Sequence, residues 1–151
     1  MVPARAHEAF LLCALRHLAS DGYGYVLTSF SPGVSHQSAE LRRLLLRRRQ
    51  VEAIIQLPEK FLAYSHVNTL LWVLRGSPTA ATAVIDASDI PKSKLHVADW
   101  LTTLRAGRPL RVPHAVLTPA TLLSDHDVLL PRVVMQTLRM MKPDTIRWTS
   151  F

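Results

Sequence analysis

The stretch VEAIIQLP at residues 51–58 is mostly apolar and ends at a proline. The stretch TLLWVLR at residues 69–75 has the same character and is followed by Gly76-Ser77-Pro78. A strand that is buried on both faces has this composition, whereas a strand with one solvated face alternates apolar and polar residues. We therefore predict buried strands over Val51–Leu57 and Thr69–Leu74, in a sheet that helices cover on both sides.

The segment before these strands predicts a helix, a strand and a second helix. Apolar residues recur with the spacing of one helical face between Glu8 and Leu18, and the turn residues at 20–24 end that helix. Tyr25–Phe30 is rich in aromatic and β-branched residues and is interpreted as a buried strand. Ser38 is predicted to cap the next helix through its side chain. The apolar stripe of that helix consists of Leu41, Leu44 and Leu45.

The segment after residue 75 predicts one more strand and then helices. Ala83–Ala87 is a short fourth strand, and the apolar spacing from Val97 to Leu104 predicts a helix that ends at Gly107. Thr118-Pro119 is interpreted as the capping residue of a further helix with proline at its first position. The final helix is indicated by Val134, Leu138 and Met141.

Length and composition predict one domain. The chain has 151 residues, of which 48% are hydrophobic, so it can bury one core but is too short for two ordinary domains. We expect a half-sheet core at residues 1–90 and a helical C-terminal extension at residues 91–151. No apolar run approaches the length of about 18 residues that spans a membrane, so a soluble, cytoplasmic protein is expected. Cys13 is the only cysteine, which excludes an intrachain disulfide.

Several segments follow one another in an order that is typical of one protein family. They are AFLLCALRHL (9–18), ELRRLL (40–45), VEAIIQLP (51–58), Phe61, Val67-Asn68-Thr69, LLWVLR (70–75), VIDAS (84–88) and DHDVLLPR (125–132). The last segment is similar to an Asp-Tyr-x-Leu-x-Pro-x-Arg-Tyr signature, although Val133 stands where that signature ends in tyrosine. The chain thus resembles the modification subunit of type I restriction-modification systems, over the C-terminal half of its adenine-N6 DNA methyltransferase domain.

The resemblance implies an α/β fold with a partial class I methyltransferase (Rossmann-like) sheet, namely strands five to seven with flanking helices. The strands that begin near Tyr25, Val51 and Thr69 would be the fifth, sixth and seventh, with the seventh antiparallel between the other two. The fifth strand would normally pair with a fourth, which this sequence lacks. An unpaired edge is a template for association. A complementing methyltransferase half or a homodimer mate is therefore expected to cover the Tyr25–Phe30 edge.

The residues that would carry methyl transfer in this family are absent from the sequence. Its enzymes bind S-adenosylmethionine with a Gly-rich loop directly after the first strand and hold the flipped adenine with an Asn-Pro-Pro-aromatic loop. Asn68 is the only asparagine and is followed by Thr69, while Gly22-Tyr23-Gly24 precedes a strand. We therefore predict no catalytic and no cofactor-binding residue in this chain, and S-adenosylmethionine binding only if a partner completes the domain.

The positive net charge of the chain makes nucleic acid a candidate partner. The formal net charge is +7, which suits an acidic partner. Five arginines of the second helix region are candidates for contacts with phosphates, and the alternative is a solvated helix face. These candidates are Arg42, Arg43, Arg47, Arg48 and Arg49. The seven histidines are scattered without the spacing of metal ligands, so no metal site is predicted.

Two functions remain open at this point. The first is a catalytically incomplete adenine-N6 DNA methyltransferase-like protein, which acts as the complementing half of a split enzyme or as a noncatalytic binding subunit. The second is a diverged standalone homodimer with an unrelated role, for example a small biosynthetic enzyme.

Overall fold

The computed structural model describes residues 4–62, 68–124, 128–140 and 147–148. The helices are α1 (Ala4–Arg16), α2 (Ser31–Val34), α3 (Ala39–Arg47), α4 (Val97–Arg105), α5 (Ala120–Leu123) and α6 (Pro131–Leu138). The strands are β1 (Tyr23–Ser29), β2 (Val51–Gln56), β3 (Thr69–Arg75), β4 (Ala81–Asp86), β5 (Ala115–Pro119) and β6 (Arg147–Trp148). Single 3₁₀ turns occupy His36–Ser38 and Lys92–Lys94.

The strands form one mixed sheet in the order β1-β3-β2-β4-β5-β6. Strand β3 is antiparallel to both β1 and β2 and lies between them, β2 is parallel to β4, and β5 is antiparallel to β4. The predicted arrangement of the first three strands, with the third antiparallel between the other two, is confirmed. Its consequence is that β1, the first strand of the chain, lies at one edge of the sheet.

Helices cover the sheet on two sides, as the apolar runs predicted. One side packs against α1, α3, α5 and α6, and its core includes Leu11, Leu45, Ile54, Trp72 and Leu138. The other side packs against α4 and the loops around it, and its core includes Ile55, Val73, Ile85, Leu101 and Leu110. All six residues of β2 are buried. We call these two sides the α1 face and the α4 face.

The predicted helix start at Thr118 is wrong. Thr118 lies in β5 opposite Thr82 of β4, where it is fully buried, and α5 begins at Ala120 after Pro119. A threonine before a proline is compatible with a helix cap and with the end of a strand, and here pairing with β4 decides for the strand. The C-terminal extension is therefore not purely helical, because β5 and β6 extend the sheet.

Helix α3 differs from its prediction in its cap and in its buried face. The Ser38 hydroxyl does not cap the helix but donates a hydrogen bond to the Glu8 carboxylate of α1. Leu44 is only half-buried, whereas Arg42 and Leu46 join the buried face. The orientation of α3 about its own axis is set by packing against neighbouring elements. The spacing of its leucines alone does not specify that orientation. Met141 of the predicted final helix lies outside the described residues.

Gly76 directly follows β3, and its backbone lies very close to the turn after α1. Its N–H donates to the Gly22 carbonyl at 2.9 Å, and a Cβ atom at this position would lie 1.8 Å from the Ala19 carbonyl oxygen. Because backbone must move to relieve that overlap, we expect Gly76→Ala to lower the free energy of unfolding by about 2–3 kcal/mol. Urea denaturation followed by circular dichroism measures this loss.

Gly24→Ala is the matched control for that substitution. A Cβ atom at Gly24 meets first the Cδ2 atom of Leu18 at 3.2 Å, and this is the movable end of a side chain. We expect the control to change stability by less than about 1 kcal/mol. Equal losses in the two variants would contradict the role given to the close backbone contact at Gly76.

Candidate functional site

The outer main chain of β1 is open. Residues of an antiparallel strand bond alternately to one neighbour and to the other side. The Gly76 N–H donates to the Gly22 carbonyl, and the register pairs Gly24 with Leu74 and Val26 with Trp72, so even-numbered residues of β1 bond to β3. The N–H and C=O groups of Tyr23, Tyr25 and Leu27 therefore point away from the sheet. In the part of the chain that the structure describes, no strand pairs with them. We call these groups the β1 edge.

A histidine closes one end of this edge. The Ser29 N–H also points outward, and it donates to Nδ1 of His7 on α1 at 2.8 Å. An incoming strand that extends past Leu27 would have to displace this contact. The open part of the edge is thus limited to the five residues from Tyr23 to Leu27. Short edges of this kind limit unspecific pairing between chains.

The side chains of the same three residues form an exposed row on the α4 face. Tyr23 is 39% exposed, Tyr25 is 55% exposed and Leu27 is 45% exposed. Gly24 faces the opposite side, where Ala14 of α1 and Leu18 after it cover the strand. The interpretation of β1 as a buried strand is therefore wrong for one of its faces. We call the three side chains the tyrosine row.

A buried carboxylate and two arginines lie beside the tyrosine row. Glu52 is 3% exposed and sits at an irregularity in the pairing of β2 with β3. Its carboxylate contacts Nη2 of Arg105 at 2.9 Å and Nη1 of Arg75 at 3.7 Å. The Arg105 guanidinium lies 3.6 Å from the centre of the Tyr23 ring and donates to the Tyr25 hydroxyl at 3.1 Å. Helix α4 is thereby tied to the edge strand.

The electrostatics of Arg105 follow from these contacts. Burial is the largest single influence and lowers the pKa of its guanidinium. Hydrogen bonds to Glu52 and Tyr25, together with their charges, outweigh burial and raise the pKa above its ordinary value. Arg105 is therefore a permanent cation, and cation–π contact with Tyr23 adds to its attachment.

The structure separates the five arginines that the sequence suggested for nucleic acid. Arg43, Arg47, Arg48 and Arg49 are exposed at the surface of α3 and just after it. Arg42 is 5% exposed, and its guanidinium donates to the carbonyl oxygens of Pro32 and Ser35. Arg42 therefore holds the α2 turn in place and is not on that surface. Contact of the other four with nucleic acid stays a prediction.

A groove of about 860 Å³ lies between α1 and α3 beside these arginines. Its wall carries Arg43 and Arg47, but also the carboxylates Glu8 and Glu40. Acidic and basic groups are thus mixed in the groove. A strongly basic channel for a phosphate backbone would carry one sign of charge, and this groove does not.

Arg132, which the resemblance placed in a signature, fastens α6 to the carboxyl ends of β2 and β4. Its Nε donates to Asp86 at 3.1 Å, its Nη2 contacts Asp89 at 3.1 Å, and its backbone N–H donates to the Gln56 side chain. The hydrogen bond to Asp86 is the main reason that the pKa of Arg132 is raised. These contacts support a structural role. Residues 125–127 of the same signature lie outside the described residues.

The sequence did not identify Glu52, Arg105 or the tyrosine row as a site. One signal was available, because Tyr23, Tyr25 and Leu27 alternate with the smaller Gly24 and with Val26. Among the described residues, no group of three His, Cys, Asp or Glu side chains could hold a metal ion. Each described helix is too short or too polar to cross a membrane.

Comparisons with known proteins gave a family match and similar solved structures. The model of the N-6 DNA Methylase family matches residues 2–104. No curated protein sequence matches the chain. A methyltransferase subunit of the type I restriction-modification system from Streptococcus thermophilus is similar in structure, with a TM-score of 0.67 and 21% identity. The match covers 84% of this chain and 30% of that subunit.

A second solved structure comes from work on the complex assembly and conformational transition of the type I R-M system. It has a TM-score of 0.55 and 18% identity, and the match covers 73% of this chain and 27% of that one. The chain therefore spans less than a third of the length of either protein. At these identities the structural likeness supports the fold.

Proposed function

The chain belongs to the N-6 DNA methylase family, and we propose that it supplies the C-terminal part of an adenine-N6 DNA methyltransferase domain whose cofactor-binding part lies outside these residues. The observation that carries this proposal is the open β1 edge. The resemblance assigns β1 to the fifth strand of the methyltransferase sheet, whose other neighbour would be the fourth strand. The unpaired groups of Tyr23, Tyr25 and Leu27 lie where that neighbour would pair.

The motifs that the sequence does not contain support the same assignment of cofactor binding to another polypeptide. The sequence has neither an Asn-Pro-Pro-aromatic segment nor a Gly-rich loop directly after a strand. Methyl transfer to adenine needs a bound S-adenosylmethionine and a pocket for the flipped base. A complementing polypeptide would provide both, and this chain would provide β1, β2 and β3 as the fifth to seventh strands, together with the helices that cover them. Alone it does not methylate DNA.

The substrate of the completed domain is proposed to be DNA. Arg43 and Arg47 are exposed on α3, Arg48 and Arg49 are exposed just after it, and the chain has a net charge of +7. Guanidinium groups neutralise phosphates and release bound counterions, which favours binding to nucleic acid. These four side chains would contact the DNA backbone without reading its sequence.

A homodimer is the second candidate, because the same open edge can pair with a second copy of itself. An antiparallel pair centred on Tyr25 would place Tyr23 of one copy opposite Leu27 of the other. Such a dimer would close the edge without any cofactor-binding part. It would favour a standalone protein with a role other than DNA methylation.

Light scattering distinguishes the two candidates. We expect the purified chain to be a monomer and to form a one-to-one complex with a coexpressed polypeptide that is encoded beside it and carries the Gly-rich loop and the Asn-Pro-Pro-aromatic motif. The complex, and not the chain alone, is expected to bind S-adenosylmethionine in calorimetry and to transfer labelled methyl groups to DNA. A stable homodimer that ignores the polypeptide would overturn the proposal, and so would a monomer that fails to bind it.

A further inference from the structure

The tyrosine row is a second exposed surface that strand pairing does not cover. Tyr23, Tyr25 and Leu27 are between 39% and 55% exposed on the α4 face, whereas Val26 on the opposite face packs against the core and Thr28 is buried. Side chains of a strand stand roughly perpendicular to the sheet. A new strand beside β1 would therefore bond the main chain and leave this row in water.

The rest of the α4 face indicates which kind of element would cover the tyrosine row. Helix α4 and its neighbouring loops bury Val73, Ile55 and Ile85 on β3, β2 and β4. The cover ends at Arg105, the last residue of α4, whose guanidinium reaches over Tyr23. In an α/β sheet both faces are buried by helices. A helix laid beyond Arg105 would complete this layer over the tyrosine row.

The charges beside the row add a requirement on that helix. Arg75 and Arg105 share the single carboxylate of Glu52, so the cluster carries one surplus positive charge. The side chains of Arg75 and Arg105 are 26% and 28% exposed, and both arginines lie at the Tyr23 end of the row. Burial of this cluster under an apolar surface would be costly unless a carboxylate joined it.

We propose that the polypeptide that pairs with the β1 edge also covers the tyrosine row with an apolar helix face that carries an Asp or Glu side chain toward Arg75. This inference rests on the proposed function and adds the chemistry of the contact. A second copy of the chain fits the row less well, because its own row carries the same surplus positive charge. The occupant is therefore a different polypeptide, the one that holds the cofactor.

Leu27→Lys tests the apolar contact. The substitution places a charge in the apolar contact, while position 27 keeps its outward N–H for strand pairing. We expect the dissociation constant of the complex, measured by calorimetry, to rise at least about tenfold, as when a residue that matters for an interface is lost. Val133→Lys is the matched control, because Val133 is 38% exposed on α6, which packs on β2 and β4. The control is expected to bind like the unchanged chain.

Arg75→Gln tests the charge. This substitution removes the surplus charge and leaves the closer pair between Glu52 and Arg105 intact. We expect binding at low salt to weaken by about two- to fivefold, as for a partly exposed ion pair. The difference should vanish at high salt, where such pairs are screened. Arg75→Lys is expected to restore binding.

The outcomes separate this inference from the proposed function. If the unchanged chain forms no complex with the cofactor-binding polypeptide, the proposed function fails. If it forms the complex and Leu27→Lys binds equally well, strand pairing stands and the cover of the tyrosine row is refuted. If Leu27→Lys weakens binding while Arg75→Gln has no effect at any salt concentration, the carboxylate is refuted. A complex between two copies of the chain overturns both.

Discussion

Replacing Tyr25 with proline is expected to weaken the complex with the cofactor-binding polypeptide about a hundredfold while the chain stays folded. The Tyr25 N–H points away from β3, so proline removes no hydrogen bond inside the sheet. It does remove the central donor of the β1 edge, and its ring obstructs an incoming strand. A proline in the interior of a helix costs about 3 kcal/mol through a lost hydrogen bond and a steric clash. A similar loss in the pairing of the β1 edge corresponds to about two powers of ten in affinity.

Calorimetry of the complex and circular dichroism of the free chain measure this result. Tyr25→Ala is the control for the lost side chain, because alanine keeps the outward N–H. We expect its binding to fall by about tenfold, as for one interface residue. Val26→Pro is the control for the fold, since the Val26 N–H bonds to β3, and this variant should lose stability as well as binding. Equal binding by Tyr25→Pro and Tyr25→Ala would contradict strand pairing at this edge.

Replacing Trp72 with alanine is expected to lower the free energy of unfolding by about 3–5 kcal/mol. Among the residues whose burial the structure describes, Trp72 is the largest fully buried side chain, and it lies on β3, between β1 and β2. Its indole N–H donates to the Thr28 hydroxyl of β1 at 2.9 Å. Truncation leaves a cavity on the α1 face and takes away the donor. A loss of this size approaches the total stability of many domains of about this length, roughly 5–15 kcal/mol.

Urea denaturation of the isolated chain provides the measurement. Thr28→Val is the matched variant, because it leaves the indole N–H without its acceptor but opens no cavity of that size. Its expected loss is about 1–3 kcal/mol, the cost of an unsatisfied buried donor. If Trp72→Ala cost no more than Thr28→Val, the packing of β3 against the α1 face would not be what stabilises the unit formed by β1, β2 and β3. The proposal requires that this unit folds before its partner binds.

Local sequence patterns predicted much of the fold for a simple reason. The apolar runs of β2 and β3 report burial on both faces, and burial on both faces requires a central position in the sheet. Gly107, which adopts a positive φ of 70° after α4, marks a helix end that few other residues could form. The ordered resemblance then supplied the strand order, because three similar strands without it are compatible with many topologies.

The sequence by itself determined that two strands are buried on both faces, and its resemblance to the family predicted a mixed sheet whose first strand is unpaired on one side. It contains neither a Gly-rich loop directly after a strand nor an Asn-Pro-Pro-aromatic segment. Only the tertiary structure decided how groups far apart in the chain meet. Arg105 reaches Glu52 across 53 residues and Tyr25 across 80 residues, and Arg42 turns inward to two loop carbonyls. The physical reason is that periodicity records which side of an element is buried, whereas the partner of a charged or aromatic side chain depends on how the elements pack.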